Sequence, residues 1–183
     1  MFEEILARTG ACLDKNSIPY VIIGGQALLL YGEPRLTRDI DMVLGIDIDE
    51  LDRVVTVVKE LGLRHLPEDL DGFVNETMVL PAVDETTGIR VDFIFSLTPY
   101  ELGAIKRANK VRILGQEISF AAPEDVIIHK IFAGRPRDME DIRSILLKNP
   151  SIEVGYVRGW LKEFDAASDE KAFQKAFDRA LRW

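Results

Sequence analysis

Cysteine is almost missing from this chain: Cys12 is the one cysteine in 183 residues. An internal disulfide is excluded, and a reducing, cytoplasmic compartment fits. Cys12 lies between Ala11 and Leu13 and reads as a small buried hydrophobe. Histidine is scarce too, with only His65 and His129. Without a cysteine cluster or an HExxH pattern, zinc chemistry is not expected. No apolar run approaches the roughly eighteen residues that a membrane span needs. The first residues, MFEEILARTGACLDKN, carry acids early and no long apolar stretch, so a signal peptide is not expected. Positive charge is in deficit, with 23 Lys and Arg against 31 Asp and Glu. That balance argues against a broad nucleic-acid surface, though not against a local basic groove. Residues 121–183 are balanced, so the acidic excess sits in residues 1–120.

The 47 % hydrophobic content is ordinary for a folded domain. An amphipathic first helix is expected over residues 2–14. Tyr20-Val21-Ile22-Ile23 reads as a buried strand ended by Gly24-Gly25, and residues 26–30 read as helix turning into the core. Residues 32–38 read as a loop by their Gly and Pro content, and residues 40–44 as a second strand. A helix over 50–60 is expected, with Asp49 as its cap and Gly62 as its stop. Residues 65–76 are polar and turn-like. Residues 77–83 and 89–95 read as a hairpin. A helix over 98–110 opens on Thr98-Pro99, and short strands follow at 111–114 and 118–120. Helices are expected over 123–132, 138–147, 152–164 and 170–181. The expected fold is therefore α/β (α+β), a mixed sheet flanked by helices. Residues 1–120 form the core, and residues 121–183 form a helical segment packed on it.

Asp39-Ile40-Asp41 follows Gly25 by fourteen residues. On a strand, residues two apart share a face, so Asp39 and Asp41 point together and Ile40 points into the core. Like charges so close repel, and a divalent cation between them relieves the repulsion. Asp92 interrupts the apolar run Val91-Asp92-Phe93-Ile94-Phe95, where an unpaired buried carboxylate is costly. If its strand neighbours the first, three hard oxygen donors converge. Gly24-Gly25 permits close backbone approach, and the helix start behind it favours anionic oxygens. The pair is neither a GxGxxG fingerprint nor a P-loop. Arg35, Thr37 and Arg38 share the loop before Asp39; one of the two arginines is a candidate contact for triphosphate oxygens, against the alternative that both are solvated surface charges. Lys130 meets a γ-phosphate only if its helix faces the crevice; otherwise it snorkels. Asp138 and Asp141 read as helix-capping acids, with Arg137 as a flanking donor.

A hydrophobic strand, Gly-Gly, Asp-x-Asp and a third acid on a later strand, in that order, resemble the minimal nucleotidyltransferase superfamily of polymerase-β-like fold. Thr37-Arg38-Asp39-Ile40-Asp41 and the segment from Lys130 to Ile142 are similar to bacterial type IV toxin–antitoxin nucleotidyltransferases and to small antibiotic nucleotidyltransferases. The resemblance spans roughly residues 18–147. It implies a Mg²⁺- (or Mn²⁺-) dependent enzyme that moves a nucleoside monophosphate from an NTP to a hydroxyl. Asp39 and Asp41 would hold the metal, with Asp92 as ligand or base. Gly24, Gly25, Arg38 and Lys130 would seat the triphosphate. The implied acceptors are tRNA or another RNA, a protein hydroxyl or a small molecule, and an antitoxin partner is implied as well. The alternatives are a catalytically silent nucleotide-binding or protein-interaction module, and a metal-dependent nuclease or phosphatase.

Overall fold

A computed structural model of the chain describes residues 1–168 and 172–182. Seven strands form one mixed sheet: β1 (Tyr20–Ile23), β2 (Asp39–Leu44), β3 (Arg64–His65), β4 (Val79–Val83), β5 (Arg90–Phe95), β6 (Asn109–Ile113) and β7 (Gln116–Phe120). Their order is β3-β4-β5-β2-β1-β7-β6. The pairs β2/β5 and β1/β7 are parallel and the others antiparallel. The helices described are α1 (Phe2–Lys15), α2 (Gly24–Tyr31), α3 (Leu51–Glu60), α4 (Leu70–Thr77), α5 (Pro99–Arg107), α6 (Pro123–Ala133), α7 (Asp138–Lys148), α8 (Val154–Ala166) and α9 (Phe173–Leu181). None is long and apolar enough to cross a membrane. The expected mixed sheet with flanking helices is the fold observed.

The alternation of each central strand decides what its two faces meet. Ile22, Ile40, Met42, Val91 and Phe93 are fully buried. The register aligns Ile22 with Met42 and Met42 with Phe93, so these side chains share one face. Tyr20 is on that face too, and α1 packs there so closely that a Cβ on Gly10 would lie 2.6 Å from the Tyr20 hydroxyl. The opposite face carries Ile23, Asp41 and Asp92. Helices α2 and α5 lie along β1, and α6 packs against α2.

Several local expectations are corrected. Residues 65–76 are not a turn region: β3 pairs with β4, and α4 follows, capped by an Asp69 carboxylate that accepts from the Gly72 N–H at 3.0 Å. Met78 ends that helix in the left-handed region (φ 60°), so β4 starts at Val79 instead of residue 77. The helix before residue 60 is capped differently. Asp47, not Asp49, accepts from the Ile48 N–H and opens a short 3-10 turn, and α3 begins at Leu51. Helix α5 stops at Arg107, because Asn109 and Lys110 are already paired with Phe120 and Ser119 in an edge hairpin. Helix α8 is shifted to Val154–Ala166. The last helix runs Phe173–Leu181, and residues 170 and 171 of the expected span lie outside the described residues. In α2, Ala27 and Leu28 enter the core, whereas Leu29 and Leu30 are exposed.

Candidate active site

Strands β2 and β5 run side by side with Asp41 directly opposite Asp92 and Asp39 opposite Arg90. Period two therefore gathers Asp39, Asp41, Arg90 and Asp92 on one face of two neighbouring strands. Ile23 pairs with Asp41 from the other side, so the chain leaves β1 beside that carboxylate and enters α2 immediately.

Gly24 and Gly25 are the first two residues of α2 instead of a turn ahead of it. Gly24 has φ +65°, and a Cβ there would overlap the Asp41 carboxylate. A Cβ on Gly25 would come within 2.5 Å of the Thr37 hydroxyl. That hydroxyl donates to Asp39 Oδ1 at 3.1 Å. The two glycines thus let Asp41 and Thr37 close over the start of α2, where free N–H groups and the helix dipole favour anions.

The site opens into a cleft of about 590 Å³ lined by both glycines, the three aspartates, Arg35, Thr37, Arg38, Arg90 and Arg135, with His129 and Lys130 from α6. Every candidate site residue named from the sequence borders this cleft. Arg38 is exposed at its rim. Lys130 is buried and its charge is already paired, with Nζ 3.2 Å from Asp138 Oδ1 and 2.5 Å from Asp141 Oδ2. Arg35 Nε adds a second cationic contact to Asp141 at 3.3 Å. The capping role expected of Asp138 and Asp141 is corrected accordingly. Helix α7 starts at Asp138 with Arg137 in the cap position, and no cap side chain bonds to it. Asp138 Oδ2 instead accepts from the Arg135 N–H at 2.9 Å, while Asp138 Oδ1 and Asp141 Oδ2 accept from Lys130.

Electrostatics at the acids follow from burial and crowding. Burial raises the Asp41 pKa, and the neighbouring Asp39 and Asp92 charges add to it, up to about 6, with Arg135 and Arg90 opposing. Burial also raises Asp92, opposed by Arg90, whose Nε donates to Asp92 Oδ1 at 2.6 Å. A folded-state pKa above the usual 3.8 means that ionised Asp41 costs the fold stability. Below about pH 4 the cost is absent, because Asp41 is protonated in both states. It grows as pH rises and is complete above the folded value of about 6. Two pK units correspond to roughly 3 kcal/mol. In metal-free buffer, Asp41→Asn is expected to melt above the wild type at neutral pH, with a gap that closes toward about pH 4. Thermal melts at several pH values check this; a gap independent of pH would refute it.

Among the described residues no three His, Cys, Asp or Glu side chains are gathered closely enough to hold a metal ion unaided. The donor chemistry nevertheless suits a hard cation: the acids are carboxylates on one face, held against their mutual repulsion. Mg²⁺ commonly takes only one or two carboxylates and completes its shell with water and phosphate oxygens.

Three site residues escaped the sequence reading. Arg90 was within reach, because it precedes Asp92 by two on the same strand and so shares its face. His129 and Arg135 arrive from α6 and the segment after it; Arg135 lies within the stretch from Lys130 to Ile142 that carries the resemblance, but no spacing rule gives either residue a role.

No curated protein matches the chain. Solved structures do. The solution structure of the antibiotic-resistance factor ANT(2'')-Ia aligns with a TM-score of 0.60 at 17 % identity, covering 91 % of this chain and 94 % of that one. The crystal structure of ANT(2'')-Ia in complex with adenylyl-2''-tobramycin gives 0.58 at 20 %, covering 91 % and 98 %. An antigenic nucleotidyltransferase-like protein from Paracoccidioides brasiliensis gives 0.57 at 18 %, covering 96 % and 91 %. At such identities the likeness is one of fold. A family model described as "Nucleotidyltransferase of unknown function (DUF6036)" matches residues 2–180, and this chain belongs to that nucleotidyltransferase family.

Proposed function

We propose that this protein is a Mg²⁺- (or Mn²⁺-) dependent enzyme that transfers a nucleoside monophosphate from an NTP to an acceptor hydroxyl and releases pyrophosphate. The observation that carries this reading is the register of Asp41 opposite Asp92, with Asp39 on the same face and the Gly24–Gly25 helix start beside them. Asp39 and Asp41 would hold the cation. When bound, it neutralises the triphosphate and stabilises charge developing at the reacting phosphorus. The N-terminus of α2 receives phosphate oxygens, and Arg38 and Arg135 border the same space. The acceptor oxygen attacks the α-phosphorus, the bond from that phosphorus to the bridging oxygen breaks, and pyrophosphate leaves with the electron pair. The acceptor's proton passes to Asp92, whose raised pKa suits it to take one. Arg90 holds that carboxylate in place.

The family assignment and the fold support the enzyme class, and the ANT(2'')-Ia complex with adenylyl-2''-tobramycin shows a similar fold bound to a nucleotidylated small molecule. Incubating the protein with each labelled NTP, Mg²⁺ and a cell extract tests the reading. Label should move to RNA, protein or a small molecule. Tight NTP binding without any transfer would favour the silent module instead.

Metal and nucleotide should bind as a unit, because neither the carboxylates nor the triphosphate alone completes a Mg²⁺ shell. Calorimetry should give weak Mg²⁺ binding without nucleotide and a clear rise in NTP affinity when Mg²⁺ is added. Asp41→Ala should lose most of that metal-dependent gain. Equal gains in the two proteins would remove Asp41 from the cation's shell.

A further inference from the structure

We propose that an aromatic pocket beside the acid cleft is the acceptor subsite, and that the acceptor is a small alcohol or phenol with an apolar, ring-bearing body. The proposal rests on the transfer reading above and names its substrate class.

The location follows from the strands. Val43 succeeds Asp41 by two and Ile94 succeeds Asp92 by two, and the register pairs Val43 with Ile94. The sheet face that carries the acids therefore turns apolar one step further along both strands, about 7 Å away. A second cavity of about 460 Å³ lies over that step. Ile23, Ile94, His129 and Phe132 line both cavities, so the two spaces adjoin. The arginines of the site line the acid cleft, and among the described residues no lysine or arginine lines the aromatic pocket. Phosphate thus belongs on the Gly24 side and an uncharged body on the Ile94 side, with Asp92 between them.

The walls set the chemistry. Tyr100 stands at the centre of a ring cluster, 5.2 Å from Trp160 and 5.3 Å from Phe164, both in edge-on geometry. The volume falls within the usual range for drug-sized ligands, which exceeds what one nucleobase fills. Polar handles are few. His129 Nε2 and Glu101 Oε2 are buried without a hydrogen-bond partner among the described residues, and both residues line the pocket. Burial pushes the His129 pKa down to about 4, so the imidazole is neutral near pH 7. The residue lines both cavities, and its neutral ring carries one donor and one acceptor nitrogen. One carboxylate does not balance a polycation, and a pocket without basic side chains does not hold an RNA backbone.

The test uses 2-(2-naphthyl)ethanol as the probe, by calorimetry, on the wild type, Trp160→Ala and Ser96→Phe. The first variant removes a wall and the second adds bulk at the pocket lining. A shared loss of binding with unchanged circular dichroism and melting is therefore not a folding defect. The probe should bind the wild type saturably and both variants at least about tenfold more weakly, while NTP–Mg²⁺ affinity stays within about threefold. Unchanged probe affinity in both variants, with NTP binding intact, overturns the subsite alone. Competition between probe and NTP, with NTP affinity lost in both variants, assigns the pocket to the nucleobase and overturns the acceptor assignment. A wild type that binds the probe but no NTP overturns the transfer reading and this assignment with it.

Discussion

Asp92→Asn is expected to keep NTP–Mg²⁺ affinity within a few-fold and to slow nucleotide transfer by about a hundred- to ten-thousand-fold. Asp92 sits on β5 opposite Asp41, with one carboxylate oxygen engaged by Arg90 at 2.6 Å. An amide preserves shape and can still accept from Arg90 through its carbonyl. It cannot take the acceptor's proton, and its nitrogen does not bind a cation. The fold should survive, because Arg90 is half exposed and loses little when its partner is neutral. Two measurements on one preparation separate the roles: calorimetry for the nucleotide and single-turnover transfer for the chemistry. A rate within about threefold of the wild type would take Asp92 out of the reaction and leave Asp39 and Asp41 as the defended acids.

The acids were legible in the sequence because strand alternation is a local rule. Asp39-Ile40-Asp41 announces two outward carboxylates around one core residue, and Ile40 is indeed fully buried. That Asp92 lands opposite Asp41 is a property of the strand order, in which β5 lies next to β2 although α3, β3, α4 and β4 intervene in the chain. An interrupted apolar run suggested it; only the sheet supplies it. Helix α4 was hidden for a different reason. Its sequence holds few strong helix formers and a glycine, so propensity argues against it. The decisive contribution is a single cap, Asp69, together with the burial of Val74. The apolar pocket was invisible because most of its rings come from α5, α6 and α8, and each alone looks like an ordinary helix core face.

Asp138 and Asp141 show how a correct local rule is overridden. Acids in the first turn of a helix are favoured by its dipole, and both residues obey that rule. What local spacing did not disclose is that α6 and α7 pack together and drive Lys130 into the first turn of α7, where two carboxylates enclose its ammonium. The acids therefore meet the dipole and a buried cation at once. The backbone N–H of Arg135 is tied into the same cluster, which fixes the segment that carries Arg135 to the edge of the cleft.

Lys130→Met is accordingly expected to destabilise the protein by about 3–5 kcal/mol, because it strands carboxylates away from water without their partner. The lysine side chain is 6 % exposed, and those of Asp138 and Asp141 are 6 % and 11 %. Arg35 stays beside Asp141 and softens the loss there, so Asp138 bears most of it. For a chain of this size the melting temperature should fall by roughly 6–20 °C. Neutralising the carboxylates together with the lysine, in Lys130→Met/Asp138→Asn/Asp141→Asn, should recover much of that fall, because the penalty belongs to unpaired charge and not to lost packing. Thermal melts of the single and triple variants give the first comparison, and NTP–Mg²⁺ titration below the melting transition gives the second. A paired, buried ammonium predicts a large stability loss with nucleotide affinity held within a few-fold. A single variant that melts with the wild type and binds NTP at least about tenfold more weakly would instead assign the ammonium to the triphosphate.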